Sequence, residues 1–421
     1  MFLRRSLWAL SALGCLTCCT WLPAADWGRF RGPNGTGIAA DTSLPVEFGE
    51  ETGLAWKVPV DAGNSSPVVF GGRIYFQTAN ADGSERRLRC LALANGKELW
   101  VRQVSGKLAK VHPKSSLASG SAAVDAQRVV MLFWDGETLS VHAYSPDGDP
   151  LWTRPLGQFS SQHGAGHSPV LVENRVLVAN DQDGVAEVVA LDAKTGEVLW
   201  KTPRTANRAN YSTPTLVERP GQPPELLVVS TAGTATYDLA SGSETWKWNW
   251  KSNTKQLRTV ASPLVTQGLV IFSGGNGPGD RQVAAVRLDG QGDVTETHLA
   301  WETHKLFPYV PSMLARGEHL YFVNDAGIAG CFLAKTGEQV WSHRLGEATV
   351  YASPLMAGGR IYAPAENGKV FVLNASPEYE LLATNQLDDS IIASPATADG
   401  LLLIRGKTHL YAFGKYQPPA R

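Results

Sequence analysis

The chain is poor in cysteine: it has five in 421 residues, and three of them (Cys15, Cys18 and Cys19) fall within the first 25 positions. The body keeps only Cys90, in LRCLAL, and Cys331, in AGCFLA. That excludes a disulfide framework, and a domain of this size buries enough surface to do without one. An excess of one charge is also missing. There are 38 Lys and Arg against 39 Asp and Glu. Removing residues 1–25 takes away Arg4 and Arg5 and no acid, which moves the formal charge from −1 to −3. Such a balance excludes a nucleic-acid or anionic-membrane partner recruited by bulk charge. After residue 25 no apolar run is long enough to cross a bilayer as a helix, and no segment sustains a helical apolar period. Catalytic signatures are lacking too. There is no G-x-S-x-G elbow. The glycine-rich NGPGD at 276–280 leads into QVAAVRL, another strand-like run, where phosphate would need a helix N-terminus.

Residues 1–25 read as a signal peptide. Arg4 and Arg5 make a basic start, and Ser6 to Leu16 is a short apolar stretch. Two exits are open: cleavage after LPAA (22–25), or lipidation at Cys15 through the loose lipoprotein box Ala12-Leu13-Gly14-Cys15. Either way an exported, periplasmic or envelope-associated chain is expected.

What the chain has in quantity is repetition. Ser/Thr-Pro recurs at 66–67, 168–169, 213–214, 262–263, 353–354 and 394–395, with altered versions at Ser121 and at Pro311-Ser312. A tryptophan follows downstream at Trp100, Trp152, Trp200, Trp246, Trp301 and Trp341, in phrases such as LALANGKELW, ALDAKTGEVLW and FLAKTGEQVW. Self-similarity at such a period decides the fold. The unit 168–200 divides into SPVLVEN, RVLVAND, VAEVVALDA and EVLWKTP, four strands of five to seven residues separated by Asn, Asp and Gly turns. A four-stranded antiparallel meander per repeat is a propeller blade.

Opening marks at 66, 121, 168, 213, 262, 312, 353 and 394 give eight blades. The last unit runs out after HLYAFGK without a fourth strand, whereas LAWKVPV (54–60) has the form of a closing strand and no blade before it. The expected fold is therefore all-β: an eight-bladed β-propeller over 54–416, its ring closed by the N-terminal strand 54–60. An arm at 26–53 packs on it, and a tail follows at 417–421. Cys90 and Cys331 fall on the same strand of the first and sixth blades, so two buried, unpaired thiols are expected. Trp56, Trp100, Trp152, Trp200, Trp246, Trp301 and Trp341 are expected to be structural, each ring packing on the next blade. The glycine of the TG turn permits the turn into the outer strand, and the proline fixes entry to the inner one.

SSPVVFGGRIYFQTANADG in the first blade and VVALDAKTGEVLW in the third are similar to the tryptophan-docking repeat of pyrroloquinoline-quinone (PQQ) type propellers. WGRFRGPNGTG resembles the WxxFRGPxGxG arm that precedes such repeats in a group of exported bacterial proteins. The resemblance spans nearly the whole mature chain and implies one of two roles. Quinoprotein dehydrogenases oxidise alcohols or sugars with PQQ and a calcium ion. The BamB lipoprotein is a non-enzymatic scaffold of outer-membrane barrel assembly. The dehydrogenase pattern is poorly matched. Its adjacent-cysteine ring has a counterpart only in Cys18-Cys19, inside the leader. Its calcium would fall to Asp388, Asp389 and Asn210, which no spacing marks, and its long insertions are absent.

A propeller places its ligand on the axis, so the residues just before each Ser/Thr-Pro are expected to ring one mouth. In order these are Asn64 and Ser65; Lys114 and Ser115; Gln162, His163 and His167; Arg208, Asn210 and Tyr211; Lys255, Gln256 and Arg258; Tyr309; Tyr351; and Asp388 with Asp389. Cations with tyrosines suit a small anionic or sugar-like ligand; the plain alternative is a solvated rim. His163 and His167 share a glycine-rich loop, but no cysteine or nearby carboxylate joins them, and no metal site is assigned. No catalytic residue is assigned either. The expectation is a monomeric, non-catalytic binding scaffold of the bacterial cell envelope, with a protein or peptide partner and no cofactor. The alternatives are a quinoprotein-type oxidoreductase or binder of PQQ and calcium, and a lectin-like sugar binder.

Overall fold

The structure, a computed structural model, describes residues 26–219, 221–251, 257–276, 279–304 and 306–418. The signal peptide, with Cys15, and Lys255 and Gln256 lie outside the described residues. Apart from one 3-10 turn at Pro33–Gly35, the described elements are strands. They form eight sheets, each built on an antiparallel meander of consecutive strands. The third is typical, with Val170–Val172, Arg175–Asp181, Ala186–Asp192 and Val198–Pro203 in that order from the axis outward. Its innermost strand is three residues long, shorter than the five to seven expected. Pro169 has no N–H to offer a ladder, so pairing starts only after it.

No single central core exists. The apolar layers lie between blades, because the middle strands bury both faces. In the third blade Val176, Val178, Val189 and Leu191 pack with Val130, Leu132 and Val141 of the second. The alternate residues Leu177, Ala179, Val188 and Ala190 pack with Leu226, Val228 and Tyr237 of the fourth. Period-two alternation thus sends neighbouring side chains to opposite partners, and the nearly continuous apolar runs follow.

The ring closes as expected. Leu54–Pro59 pairs antiparallel with His409–Gly414 and supplies the outer strand of the eighth blade. Each docking tryptophan reaches the following blade. The indole N–H donates to a carbonyl there: Trp56 to Leu93 at 2.9 Å, Trp152 to Ala193 at 3.0 Å, Trp200 to Leu239 at 3.1 Å and Trp301 to Ala334 at 2.9 Å. The ring then lies on the TG glycine. A Cβ at Gly196 (φ 72°) would sit 2.5 Å from the Trp152 ring, so this glycine serves both the left-handed turn and the close approach. Trp246 departs from the pattern. It is 1% exposed, yet its Nε1 has no hydrogen-bond partner. The next blade replaces the TG turn with the longer LDGQGDVTETH, and no carbonyl is offered. Cys90 and Cys331 are both buried and unpaired, opposite Trp100 and Trp341 on equivalent strands. Burial pushes their thiols up to about 12 and about 11.

Residues 26–53 lie against the inner ends of the blades. Val69 pairs with Trp27, and the Val124 N–H donates to the Gly28 carbonyl. Arg29 donates to the Pro214 carbonyl, and Asn34 exchanges hydrogen bonds with Leu216. Arg31, 3% exposed, donates to the carbonyls of Gly35, Thr36 and Met313. Ile38–Ala39 runs parallel to Leu355–Ala357, and the Gly400 N–H donates to Asp41. The arm thereby touches the first, second, fourth, sixth, seventh and eighth blades. It crosses the face of the ring where the inner strands end.

Candidate functional site

The Ser/Thr of each opening mark explains why the mark repeats. At seven of the eight marks its N–H donates to the hydroxyl of the next blade's mark: Ser66 to Ser121 at 2.9 Å, Ser121 to Ser168 at 2.9 Å, Thr213 to Ser262 at 3.3 Å, Ser262 to Ser312 at 2.9 Å, Ser312 to Ser353 at 3.0 Å, Ser353 to Ser394 at 2.9 Å and Ser394 back to Ser66 at 3.0 Å. The belt needs a backbone N–H and a short hydroxyl on one residue; the following proline is not required for it, since Ser121 and Ser312 are followed by Ala122 and Met313 and still donate. The belt leaves each accepting hydroxyl with its own O–H still to give.

Inside the belt is a cavity of about 660 Å³. Six belt hydroxyls line it (Ser66, Ser168, Thr213, Ser312, Ser353 and Ser394), and Phe30 of the arm closes the far side. Connections that precede the marks supply Asn64, His112, Lys114, His163, Tyr211, Arg258, Tyr309 and Tyr351; the hairpins formed by the second and third strands supply Asn276 and Arg281 from strand ends and Asp325 from a turn.

Of the seventeen residues expected at the mouth, Asn64, Lys114, Ser115, His163, Tyr211, Arg258, Tyr309 and Tyr351 meet in this cavity. The others among the described residues do not line it. His167 lies behind the wall, 2% exposed against Phe159, with both ring nitrogens unpartnered. Asn210 is 1% exposed and structural; it donates to the Val229 carbonyl at 2.6 Å and accepts the Ser212 N–H. Arg208 turns to Gln162 at 3.1 Å. Asp388 is exposed and borders an outer groove with Glu47–Thr52 of the arm. Asp389 accepts N–H groups of Lys407, Thr408 and His409 and so caps a hairpin. Lys255 lies outside the described residues. His163 and His167 do not meet: His163 lies edge-on to His112, with ring centroids 4.7 Å apart. His112 escaped the sequence reading because it stands well upstream of the Ser121 mark, where only the residues just before a mark were counted, and Arg281 and Asp325 escaped it because their hairpins precede no opening mark.

The site is electropositive. Arg258 is 3% exposed; its Nη2 donates to Gln162, and its Nη1 has no partner. Lys114 holds its ammonium 4.4 Å from the Tyr351 ring centre, and Arg281 lies 5.3 Å from that of Tyr309. Asp325 is the one carboxylate of the lining among the described residues. It accepts the N–H groups of Tyr309 and Val310, at 2.7 and 3.2 Å, and pairs with Arg281 at 3.7 Å. Burial, reinforced by Arg258, lowers the His163 pKa to about 4, so the ring is neutral near pH 7. Burial raises Tyr309 to about 12.

A quinoprotein centre does not fit these residues. Calcium takes six to eight oxygens with several carboxylates, and here the single lining carboxylate is already tied to two amides and an arginine. The described residues hold no adjacent cysteine pair, and Cys90 and Cys331 sit inside blade strands.

Fold and cavity together define an eight-bladed, tryptophan-docked propeller with a plugged axis. The chain belongs to the family described as outer membrane protein assembly factor BamB, whose model matches residues 26–141, 137–303 and 300–377. The outer membrane protein assembly factor BamB of Yersinia pestis is 22% identical over 270 residues, covering 61% of this chain and 64% of that protein. The quinohemoprotein alcohol dehydrogenase ADH IIB of Pseudomonas putida is 25% identical over 205 residues, covering 46% of this chain and 27% of that protein. The chain thus spans less than two thirds of either relative. Among solved structures, BamB from Moraxella catarrhalis superposes with a TM-score of 0.63 at 13% identity, covering 85% of this chain and 98% of that one. A europium-containing methanol dehydrogenase gives 0.55 at 11% identity, covering 93% and 98%. These superpositions establish the fold.

Proposed function

We propose that this chain is an exported, non-catalytic interaction scaffold of a bacterial cell envelope, which presents the outer edges of its blades to a protein or peptide partner. Residues 1–25 direct export in this reading. Family membership supports a partner in outer-membrane protein assembly, the role that the Yersinia relative's name gives.

The observation that carries the reading lies on the rim. On three consecutive blades the residue before the docking tryptophan is an exposed leucine: Leu99 at 45%, Leu151 at 49% and Leu199 at 48%. The strands that hold them, Glu98–Ser105, Pro150–Gln158 and Val198–Pro203, each end their sheet with one edge unpaired among the described residues. The fourth blade differs, since Gly292–Asp293 pairs along its outer strand. An apolar side chain beside an open strand edge suits capture of an extended segment by strand addition. The test replaces Leu99, Leu151 and Leu199 together by Glu and compares Ala300→Glu, an exposed site at the same position on the fifth blade. After crosslinking in cells, wild type and Ala300→Glu should co-purify the same envelope protein, and the triple variant should lose it while melting normally. Retention by the triple variant would overturn the rim reading.

A further inference from the structure

The axial cavity calls for an occupant of its own, independent of the rim. Arg258 is almost fully buried, yet its Nη1 meets no acceptor, and the side-chain partner it has among the described residues is the neutral amide of Gln162. A buried guanidinium without an anion is costly to keep. Lys114 adds a second cation whose neighbour is a tyrosine ring rather than a carboxylate. The cavity floor is a ring of hydroxyls, of which those of Ser66, Ser168, Ser312, Ser353 and Ser394 have accepted a belt hydrogen bond and retain an O–H to donate. The walls alternate hydrogen-bonding groups (Asn64, Asn276 and His163, whose Nδ1 is buried without a partner) with the flat faces of Tyr211, Tyr309 and Tyr351.

We infer that the axial cavity binds a sugar acid of the uronate type. Arg258 and Lys114 take its carboxylate through charge-assisted hydrogen bonds. A tyrosine face packs against the C–H face of the pyranose ring. The belt and the two asparagines serve its hydroxyls. An aromatic carboxylate would use the cations and leave most of that polar lining unmatched, and a neutral sugar would leave Arg258 bare. A volume of about 660 Å³ lies within the range of small-ligand sites. Because Phe30 closes one side, the ligand enters from the face opposite the arm.

The test is calorimetric titration of the folded chain from Asp26 onward with galacturonate, glucuronate, galactose and benzoate. Saturable binding of at least one uronate is expected, with galactose and benzoate at least tenfold weaker. Arg258→Gln should weaken the uronate tenfold or more, and Arg287→Gln, an exposed arginine on the fifth blade, should leave it unchanged. Should Arg258→Gln fold poorly, Lys114→Gln at an exposed position replaces it, with a severalfold loss expected. No saturable uronate binding, benzoate binding as tightly as the uronates, or affinity indifferent to both cation variants would each overturn the inference.

Discussion

Two tryptophans in this ring sit in the same place in their blades and should respond oppositely to one substitution. Trp200 and Trp246 are both buried, at 9% and 1% exposure. Trp200 donates to the Leu239 carbonyl at 3.1 Å, and Trp246 donates to nothing. Changing either to Phe removes the pyrrole ring and its packing, a loss common to both. The hydrogen-bond consequence has opposite sign. Trp200→Phe gives up a net contribution of about 1 kcal/mol and strands a buried carbonyl, worth about 1–3 kcal/mol. Trp246→Phe removes a donor that was already stranded and recovers a similar amount. The two variants should differ by about 2–4 kcal/mol in unfolding free energy, with Trp246→Phe the more stable. Urea denaturation followed by circular dichroism measures this, since the midpoint falls with stability at constant slope. Equal midpoints, or Trp200→Phe the more stable, would refute the claim that the docking hydrogen bond distinguishes the regular blades from the irregular junction.

Other consequences follow from closure, thiols and histidines. Removing residues 54–60 opens the ring at the eighth blade and exposes the edge of His409–Gly414; the chain should be largely unfolded or oligomeric on gel filtration. Cys90 and Cys331 should resist alkylation in the native state and both react after unfolding without reductant, as mass spectrometry reads directly. His167 carries a pKa lowered by burial from the usual 6.5 to about 4. Its folded state binds fewer protons, so stability holds above about pH 6.5 and falls as the pH drops toward 4. At pH 5 this one residue should cost about 2 kcal/mol, and His167→Phe should return much of it at pH 5 while changing little of the pH dependence above pH 7.

The fold was legible because its causes repeat. Each opening mark supplies an N–H and a hydroxyl, and six of the eight add the proline that makes them easy to see, so one local rule repeated around the ring fixes the belt, and LAWKVPV (54–60) is conspicuous as a strand without a blade. The cavity was legible only where it follows that rule. Tyr211, Arg258, Tyr309 and Tyr351 precede a mark by a few residues and could be placed by counting. Arg281 and Asp325 reach the axis from the hairpins formed by the second and third strands, whose inward lean no local pattern announces. Asp388 fails for the converse reason: it precedes a mark, yet Asp389 beside it is committed to a hairpin, and the segment turns Asp388 outward. His167 was misplaced because a glycine-rich loop looks exposed in sequence, and here it folds under the rim. The arm's arginines illustrate the same limit. WGRFRGPNGTG reads as an arm that packs on the ring, but nothing in its pattern announces that Arg31 spends its donors on three backbone carbonyls.

The rim is where the account is most exposed. A photo-crosslinking side chain placed singly at Leu99, Leu151, Leu199 or Ala300 in living cells, followed by fractionation, reports both location and partner. The account predicts discrete protein adducts in the envelope fraction from the three leucine positions and none from Ala300. Adducts equally abundant from Ala300, none from any position, or a chain retained in the cytoplasm would contradict it.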